Sequence, residues 1–340
     1  MRAVGYFERG LPITDENALR DLDLPDPPAP AGRDLLVRVH AVSVNPRDAK
    51  SRNTVKATPE RPVVLGYDAS GVVDAVGPEA TLFRPGDAVF YAGVLNRQGS
   101  NAELQLVDER IVGRRPASLD HAAAASLPLT ALTAYEMLFD RLEVPRGQAG
   151  EGDAVLILGG AGGVPSIAIQ LARALTALTV VATASRPESE RWVRELGAQH
   201  VINHAKPLKA EVEALGLAEP LRYVFSTHTD ATSWADAAGF IAPQGRFGLI
   251  DDPEPLDLRL MKFKSVSIHW EAMFTRPLFG TKDMIRQHEI LTEVAALVDR
   301  GTIRPTATQS LGAINAANLR KAHAAIEAGR VVGKLVLAGF

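Results

Sequence analysis

The residues of this chain best arranged for chemistry run from 155 to 173, "VLILGGAGGVPSIAIQLAR". A β-branched strand ending at Leu158, the turn "GGAGGVP" and the helix "SIAIQLARAL" form a strand-turn-helix unit. In such a unit the free N–H groups of the turn and the helix dipole face an anion such as a pyrophosphate. Set against the pattern G-x-G-x-x-G, the key positions are Gly160, Gly162 and Pro165, and the backbone of Gly160, Gly162, Gly163 and Val164 is placed to approach phosphate. A tight turn with no ligand would show the same local pattern, but the alternation of strands and helices that follows favours dinucleotide binding. Pro165 replaces the glycine that lets helix pack on strand. If the helix begins near Gly162, the proline lies in its first turn, where its missing N–H has no intrahelical acceptor and its fixed φ suits the helix. The remaining costs are a restriction on Val164 and an overpacking penalty of roughly 1–3 kcal/mol.

The second strand of such a unit selects the nucleotide. A carboxylate at its end accepts hydrogen bonds from the ribose of NAD and repels a 2′-phosphate. Here "LTVVATASRPES" ends in Ala184, Ser185 and Arg186. A hydroxyl beside a guanidinium suits a 2′-phosphate, so NADP(H) is expected, although an arginine solvated in a loop would look the same. His200 and His204 have a spacing that pairs metal ligands on a helix. In "HVINH" they flank a predicted strand, where about 3.3 Å per residue keeps them apart. His204, at the strand's C-terminal end, is instead a candidate contact for the adenosine half of the cofactor.

Candidate strands at Ala154–Leu158, Leu178–Thr183, His200–Asn203, Tyr223–Ser226, Arg246–Ile250 and Val266–Trp270, with helices between them, imply an α/β doubly wound parallel sheet. Ahead of it lie short strands in "DLLVRVHAVSV", "GYDASGVVDAVG" and "GDAVFYAGV", then the helical "DHAAAASLPLTALTAYEMLF". Behind it come helices around Met284–Arg300 and Ala313–Ala328 and a last strand "GKLVLAGF", which suggests that the tail packs back on the β-rich head. With 340 residues, 46% hydrophobic and 23% charged, the chain can bury large cores and suggests two domains. A net charge of -3 without long runs of one sign gives no nucleic-acid footprint. No cysteine is present, which removes thiolate chemistry and sulfur-ligated zinc. The opening "MRAVGYFERG" lacks an apolar signal core and no stretch reaches ~18 apolar residues, so a cytoplasmic protein is expected.

Several stretches together resemble the medium-chain dehydrogenase/reductase superfamily, and within it the zinc-free quinone oxidoreductases similar to zeta-crystallin: "VSVNPRDAKSR", "PVVLGYDASGVVDAVG", "GSNAELQLV", "ASLPLTALTAYEML", the glycine turn and "AGRVVGKLVL". "THTD", "GLIDDPEPLD" and "HWEAMFTR" further resemble a bacterial subgroup labelled zinc-type alcohol dehydrogenase-like. The resemblance covers essentially the whole chain. It implies a GroES-like catalytic domain over residues 1–128 and 278–340, a Rossmann NADP-binding domain over 129–277, and commonly a homodimer, for which the apolar "SVSIHWEAMF" is a candidate edge. In the alcohol dehydrogenase branch the catalytic zinc is held by cysteine, by the histidine of a Gly-His-Glu step and by a further cysteine or acid. This chain has Ser43 and Asn45 near the first ligand and Gly66-Tyr67-Asp68 for the step, so no catalytic metal is expected.

Without a metal, the acceptor must yield an anion that needs little help. The conjugate acid of an alkoxide has a pKa of ~16, against ~10 for a phenolate or enolate, a difference of about 8 kcal/mol. Quinones and α,β-unsaturated carbonyls are therefore the expected acceptors, with hydrogen-bond donors in a dry pocket stabilising the developing charge. The resemblance implies a cleft lined by the segment around Asn45, by Tyr67 and Tyr91, and by "LTALTAY". Asn45 either holds the nicotinamide ribose or polarises a carbonyl, or else caps the turn before Pro46. Asp48 orients that site or pairs with Lys50 or Arg52. Tyr67 either donates a proton to the product or packs in a barrel. Thr130 is placed at the nicotinamide or as a helix N-cap, and Leu249, Ile250 and Phe274 are apolar nicotinamide contacts or core. The rival readings are a zinc alcohol dehydrogenase and a catalytically idle NADPH-binding sensor or structural protein.

Overall fold

The computed structural model describes residues 1–58 and 60–340. The chain divides into two compact units, Met1–Leu132 with Phe274–Phe340, and Thr133–Met273. Among the described residues no helix is long and apolar enough to cross a membrane.

In the first unit the strand Asp34–Val44 organises a seven-stranded sheet. Leu35, Val37 and Val39 are buried while Arg38 and His40 between them are exposed, the period of two that places one face on a core. From Ala41 to Val44 every residue is buried, so the strand passes from one-sided to two-sided packing. Register shifts at Leu36/Val37 and Val39/Ala41 bend it where it pairs antiparallel with Asp68–Val76. Gly71 permits that pairing, since a Cβ there would stand 2.1 Å from the Arg38 carbonyl oxygen. The tail does return to the head: Lys334–Ala338 pairs antiparallel with the same central strand, Leu335 opposite Val44 and Val336 opposite Ser43. A core including Val37, Val42, Tyr91, Leu319 and Leu337 holds the unit, each large side chain contributing roughly 1.5–3 kcal/mol of burial.

The second unit contains a six-stranded, all-parallel sheet. Its spatial order is His200–Ile202, Thr179–Thr183, Ala154–Ile157, Leu221–Ser226, Arg246–Leu249 and Ser267–Trp270. This is the doubly wound order expected for a Rossmann fold. Ala154–Ile157 is buried throughout, as a central parallel strand covered on both faces must be. Leu158, Asn203 and Ile250, predicted inside strands, instead fall just past their C-terminal ends. The predicted helical stretch after Asp120 is broken: His121–Ala125 stops, Pro128–Tyr135 restarts at a proline, and Glu136–Arg141 follows as a π-helical turn.

Candidate functional site

In the second unit the glycine turn joins Ala154–Ile157 to the helix Gly163–Leu175. Gly159 has φ +85°, and a Cβ there would lie 2.1 Å from Thr227 Oγ1. Sequence reasoning passed over this glycine, although it is the one whose backbone makes the turn. Gly160 is needed for a close approach, since a Cβ would meet the Thr183 carbonyl oxygen at 2.2 Å. Gly162, the N-cap, has ordinary dihedrals and no atom within 3.5 Å of a would-be Cβ, so the fold alone does not require glycine there. Its N–H is used inside the turn, on the Gly159 carbonyl at 3.1 Å. The helix's first internal bond runs from Ser166 N–H to Gly162 O at 3.0 Å. The N–H groups of Gly163 and Val164 precede it and have no intrahelical acceptor. Pro165 sits one residue before Ser166 and removes no helical bond.

Thr179–Thr183 ends in buried Ala184 and exposed Ser185 and Arg186. Arg186 opens the helix Pro187–Glu195, its N–H reaching Ser189 Oγ at 3.2 Å and its carbonyl accepting from that hydroxyl at 2.8 Å. His204 Nδ1 lies 3.2 Å from Thr183 Oγ1. Loss of solvation around its ring, and then the charges of Arg186 and His228, hold its pKa below the usual histidine range. The C-terminal ends of neighbouring strands thus gather groups of positive or potentially positive charge. His200 and His204 flank His200–Ile202 and, among the described residues, no three His, Cys, Asp or Glu side chains gather as metal ligands. Leu249 is buried in the core of this unit, while Ile250, just beyond its strand, is half-buried.

The first unit contains a buried polar cluster that brings Asn45, Asp48 and Tyr67 together with residues sequence reasoning did not select. Asp68 is fully buried at the start of its strand. Its Oδ2 accepts from Ser43 Oγ at 2.7 Å, Asn45 Nδ2 at 2.8 Å and Lys334 Nζ at 2.9 Å, and its Oδ1 from Leu129 N–H at 2.7 Å. Lys334, 3% exposed, also donates to the Val44 carbonyl at 3.0 Å and to Asn45 Oδ1. The only sequence signal for Lys334 was a lysine opening an otherwise apolar strand, "GKLVLAGF".

Asn45 is also the N-cap of the helix Pro46–Thr54, and its N–H donates to Asp48 Oδ2 at 2.8 Å. Asp48 Oδ1 is buried without a hydrogen-bond partner among the described residues. Burial pushes the Asp48 carboxyl up to about 7, against the pull of the Asn45 N–H and the Lys334 charge. Of its two expected partners, Arg52 turns away to Glu327 at 2.6 Å and Lys50 is exposed. Ser51, one helical turn after Asp48, places Oγ 2.7 Å from Tyr67 Oη. Burial raises the Tyr67 pKa. The Phe274 ring packs against Tyr67 with centroids 4.9 Å apart. Gly66, with φ +103°, delivers Tyr67 and Asp68 to the cluster. Thr130 lies inside Pro128–Tyr135, its hydroxyl donating to Leu127 O at 2.9 Å, so it is not the helix cap. Tyr91 is fully buried.

Two family models match the chain, the alcohol dehydrogenase GroES-like domain over residues 31–117 and the zinc-binding dehydrogenase over residues 196–337. A zinc-type alcohol dehydrogenase-like protein of Staphylococcus aureus is 41% identical over 339 residues, 99% of each chain. The human mitochondrial NAD(P)H oxidoreductase RTN4IP1 is 32% identical over 334 residues, covering 89% of this chain and 81% of its own. A solved structure from Rhizobium etli, named provisionally as a zinc-dependent alcohol dehydrogenase, superposes with a TM-score of 0.95 at 58% identity, over 100% of this chain and 98% of that one. Likeness of this depth along the whole length makes the protein a member of the medium-chain dehydrogenase/reductase superfamily, an oxidoreductase.

Proposed function

We propose that the protein is an NADPH-dependent reductase of quinones or α,β-unsaturated carbonyls that works without a catalytic metal. The observation that carries this reading is the Asp68–Lys334 pair. Zinc is suggested by the names of relatives and of one matching family model, but the residues present do not fit it. The carboxylate nearest the expected ligand position is saturated by four donors, one of them an ammonium 2.9 Å away that would repel a dication. Thiolate ligands are absent, since the sequence has no cysteine.

A dinucleotide does fit. Gly162 leaves room that no packing in the chain demands, and the N–H groups of Gly163 and Val164 stand free of the helix ladder, beside Gly160. These would hold the pyrophosphate, and Ser185 and Arg186, with His204 beside them, would take a 2′-phosphate. Ile250 and Phe274 offer apolar surface for the nicotinamide half; Leu249 would contribute mainly through packing. When bound, the reduced nicotinamide supplies the hydride. In the other unit the Asn45 amide, bonded to Asp68 and drawn also toward the Asp48 carboxylate, would meet a ribose hydroxyl or an acceptor carbonyl. Tyr67 Oη holds the proton best placed for the product anion, with Asp48 and Ser51 behind it. Thr130 would stand at the nicotinamide.

We further propose that two copies associate through the edge strand Ser267–Trp270, whose outer side has no partner strand among the described residues and whose Trp270 is exposed, as is Phe263 shortly before it. Native mass spectrometry at micromolar concentration should give twice the chain mass. Stopped-flow oxidation of NADPH and NADH against quinones, enones, aldehydes and alcohols, together with metal analysis, tests the activity. Turnover of the conjugated acceptors with NADPH is expected; stoichiometric zinc with chelator-sensitive alcohol oxidation would overturn the reading, and bound NADPH oxidised by no acceptor would favour an idle protein.

A further inference from the structure

Asn45 could point its amide either way round, because its oxygen and nitrogen have nearly the same shape but opposite hydrogen-bonding character. The surrounding cluster removes that freedom. On one side stands Asp68 Oδ2, which can only accept from it; on the other stands Lys334 Nζ, which can only donate. Lys334 has three N–H groups and three acceptors: Val44 O, Asn45 Oδ1 and Asp68 Oδ2. Nothing on the ammonium is left over for a ligand. Lys334 is also held at both ends of its reach, by pairing of its own strand with the central strand and by Asp68, which is itself fixed through Ser43 and the Leu129 N–H.

We propose that Lys334 is a positioning residue for the reaction: by fixing the Asn45 amide it sets the direction of the Asn45 N–H not bonded to Asp68, the one that lies toward Asp48 and would serve cofactor or substrate. The proposal rests on the reading that Asn45 serves the reaction. The lysine's charge is compensated by Asp68 at 2.9 Å, so its part is orientation and not direct stabilisation of the product anion. An uncharged side chain one atom shorter, as in Lys334→Met, would leave Asn45 Oδ1 without the ammonium that donates to it. The amide would then be held through its bond to Asp68 alone and could swing about it.

The test compares wild type with Lys334→Met, using protein labelled with ¹⁵N at asparagine, with the Asn45 resonances assigned by Asn45→Asp. Wild type should show two well-separated, slowly exchanging Asn45 side-chain N–H signals. In Lys334→Met these should move together and exchange with water faster, while kcat with a quinone or enone falls at least 10-fold and the dissociation constant for NADPH stays within about 3-fold. If Lys334→Met does not fold, Lys334→Gln, which keeps a neutral amide donor, should give the same pattern in weaker form. Unchanged Asn45 signals would overturn the proposal even if activity fell, and so would changed signals with wild-type kcat. If wild type itself reduces no acceptor, the reaction assigned to the site has failed. Altered signals in the variant would then still show Lys334 holding Asn45, and the claim that this serves the reaction would fall.

Discussion

The Glu271 carboxylate meets the Arg141 guanidinium at 2.8 Å, and Glu136 is close enough to raise the same carboxyl. Glu271 follows the edge strand Ser267–Trp270, and Glu136 and Arg141 bound the π-helical turn Glu136–Arg141. Burial first, and then the neighbouring Glu136 charge, push Glu271 up to about 9. An acid protonated in the folded state but ionised in the unfolded one favours unfolding as pH rises from its ordinary value toward the folded one. Stability from this group is therefore lost between about pH 4.5 and 9. Glu271→Gln, which keeps a neutral group of the same shape, should gain on wild type across that window. The gain should be on the order of 1 kcal/mol, or about 2–4 °C in Tm, by melts at pH 5, 7 and 9; a difference independent of pH would refute it.

His323 gives a slope of the opposite sign. It is fully buried on the helix Ala316–Glu327, and neither ring nitrogen has a hydrogen-bond partner among the described residues. Burial, helped by the charge of Arg52, lowers its pKa to about 4. The unfolded chain takes up this proton from about pH 6.5 downward, so wild type should lose on the order of 2–3 kcal/mol by pH 4 from this residue alone. His323→Leu should flatten the acid limb of a urea-midpoint profile, whatever it costs at pH 7.

Arg186 should discriminate between the two nicotinamide dinucleotides. Arg186→Ala is expected to weaken NADPH binding by about 10- to 100-fold, the range for a lost hydrogen bond to a charged group, and to leave NADH within about 2-fold. Titration by nucleotide fluorescence reads both, and equal loss for the two cofactors would place the arginine elsewhere.

Pro165→Gly should change little. No helical bond is regained, because the ladder begins at Ser166, so stability should fall by no more than about 1 kcal/mol through the freer unfolded chain. NADPH affinity should stay within several-fold. A gain of orders of magnitude in affinity with unchanged stability would mean that the ring obstructs phosphate.

Tyr67→Phe keeps the ring on Phe274 and removes the hydroxyl shared with Ser51. If Tyr67 is the proton donor, kcat should drop by about 10²-fold or more with KM for NADPH unchanged. An unaltered kcat would leave water as the donor.

The Rossmann sheet was legible because parallel strands buried on both faces read as apolar runs with helices between them. The glycine turn was legible as a strand-to-helix turn, yet its left-handed residue, Gly159, was not. A run of adjacent glycines says that a turn exists without saying which residue carries the positive φ. Asn45, Asp48 and Tyr67, which the structure gathers in one buried polar cluster, could be singled out because they fall in short motifs. Lys334 was invisible by the same logic, since its partners lie 289 and 266 residues earlier in the chain, and only the return of the last strand to the central one brings them together. Thr130 shows the other side of the difficulty: residue type and position suited a helix N-cap, while the structure puts it inside Pro128–Tyr135 with its hydroxyl on the Leu127 carbonyl.

The pairing of Lys334–Ala338 with Asp34–Val44 also sets a timetable. At about 5–20 residues per second, a ribosome that has made Asn45 needs roughly 15–60 s to reach Lys334, 289 residues later. Throughout that interval Asp68 has no ammonium to meet, and burying its lone carboxylate would be opposed by several kcal/mol. The first hundred residues are thereby kept from closing over a half-built centre, and the intervening Rossmann segment is free to fold first. The buried cluster around Asp68 is then among the last parts of the nascent chain to be completed.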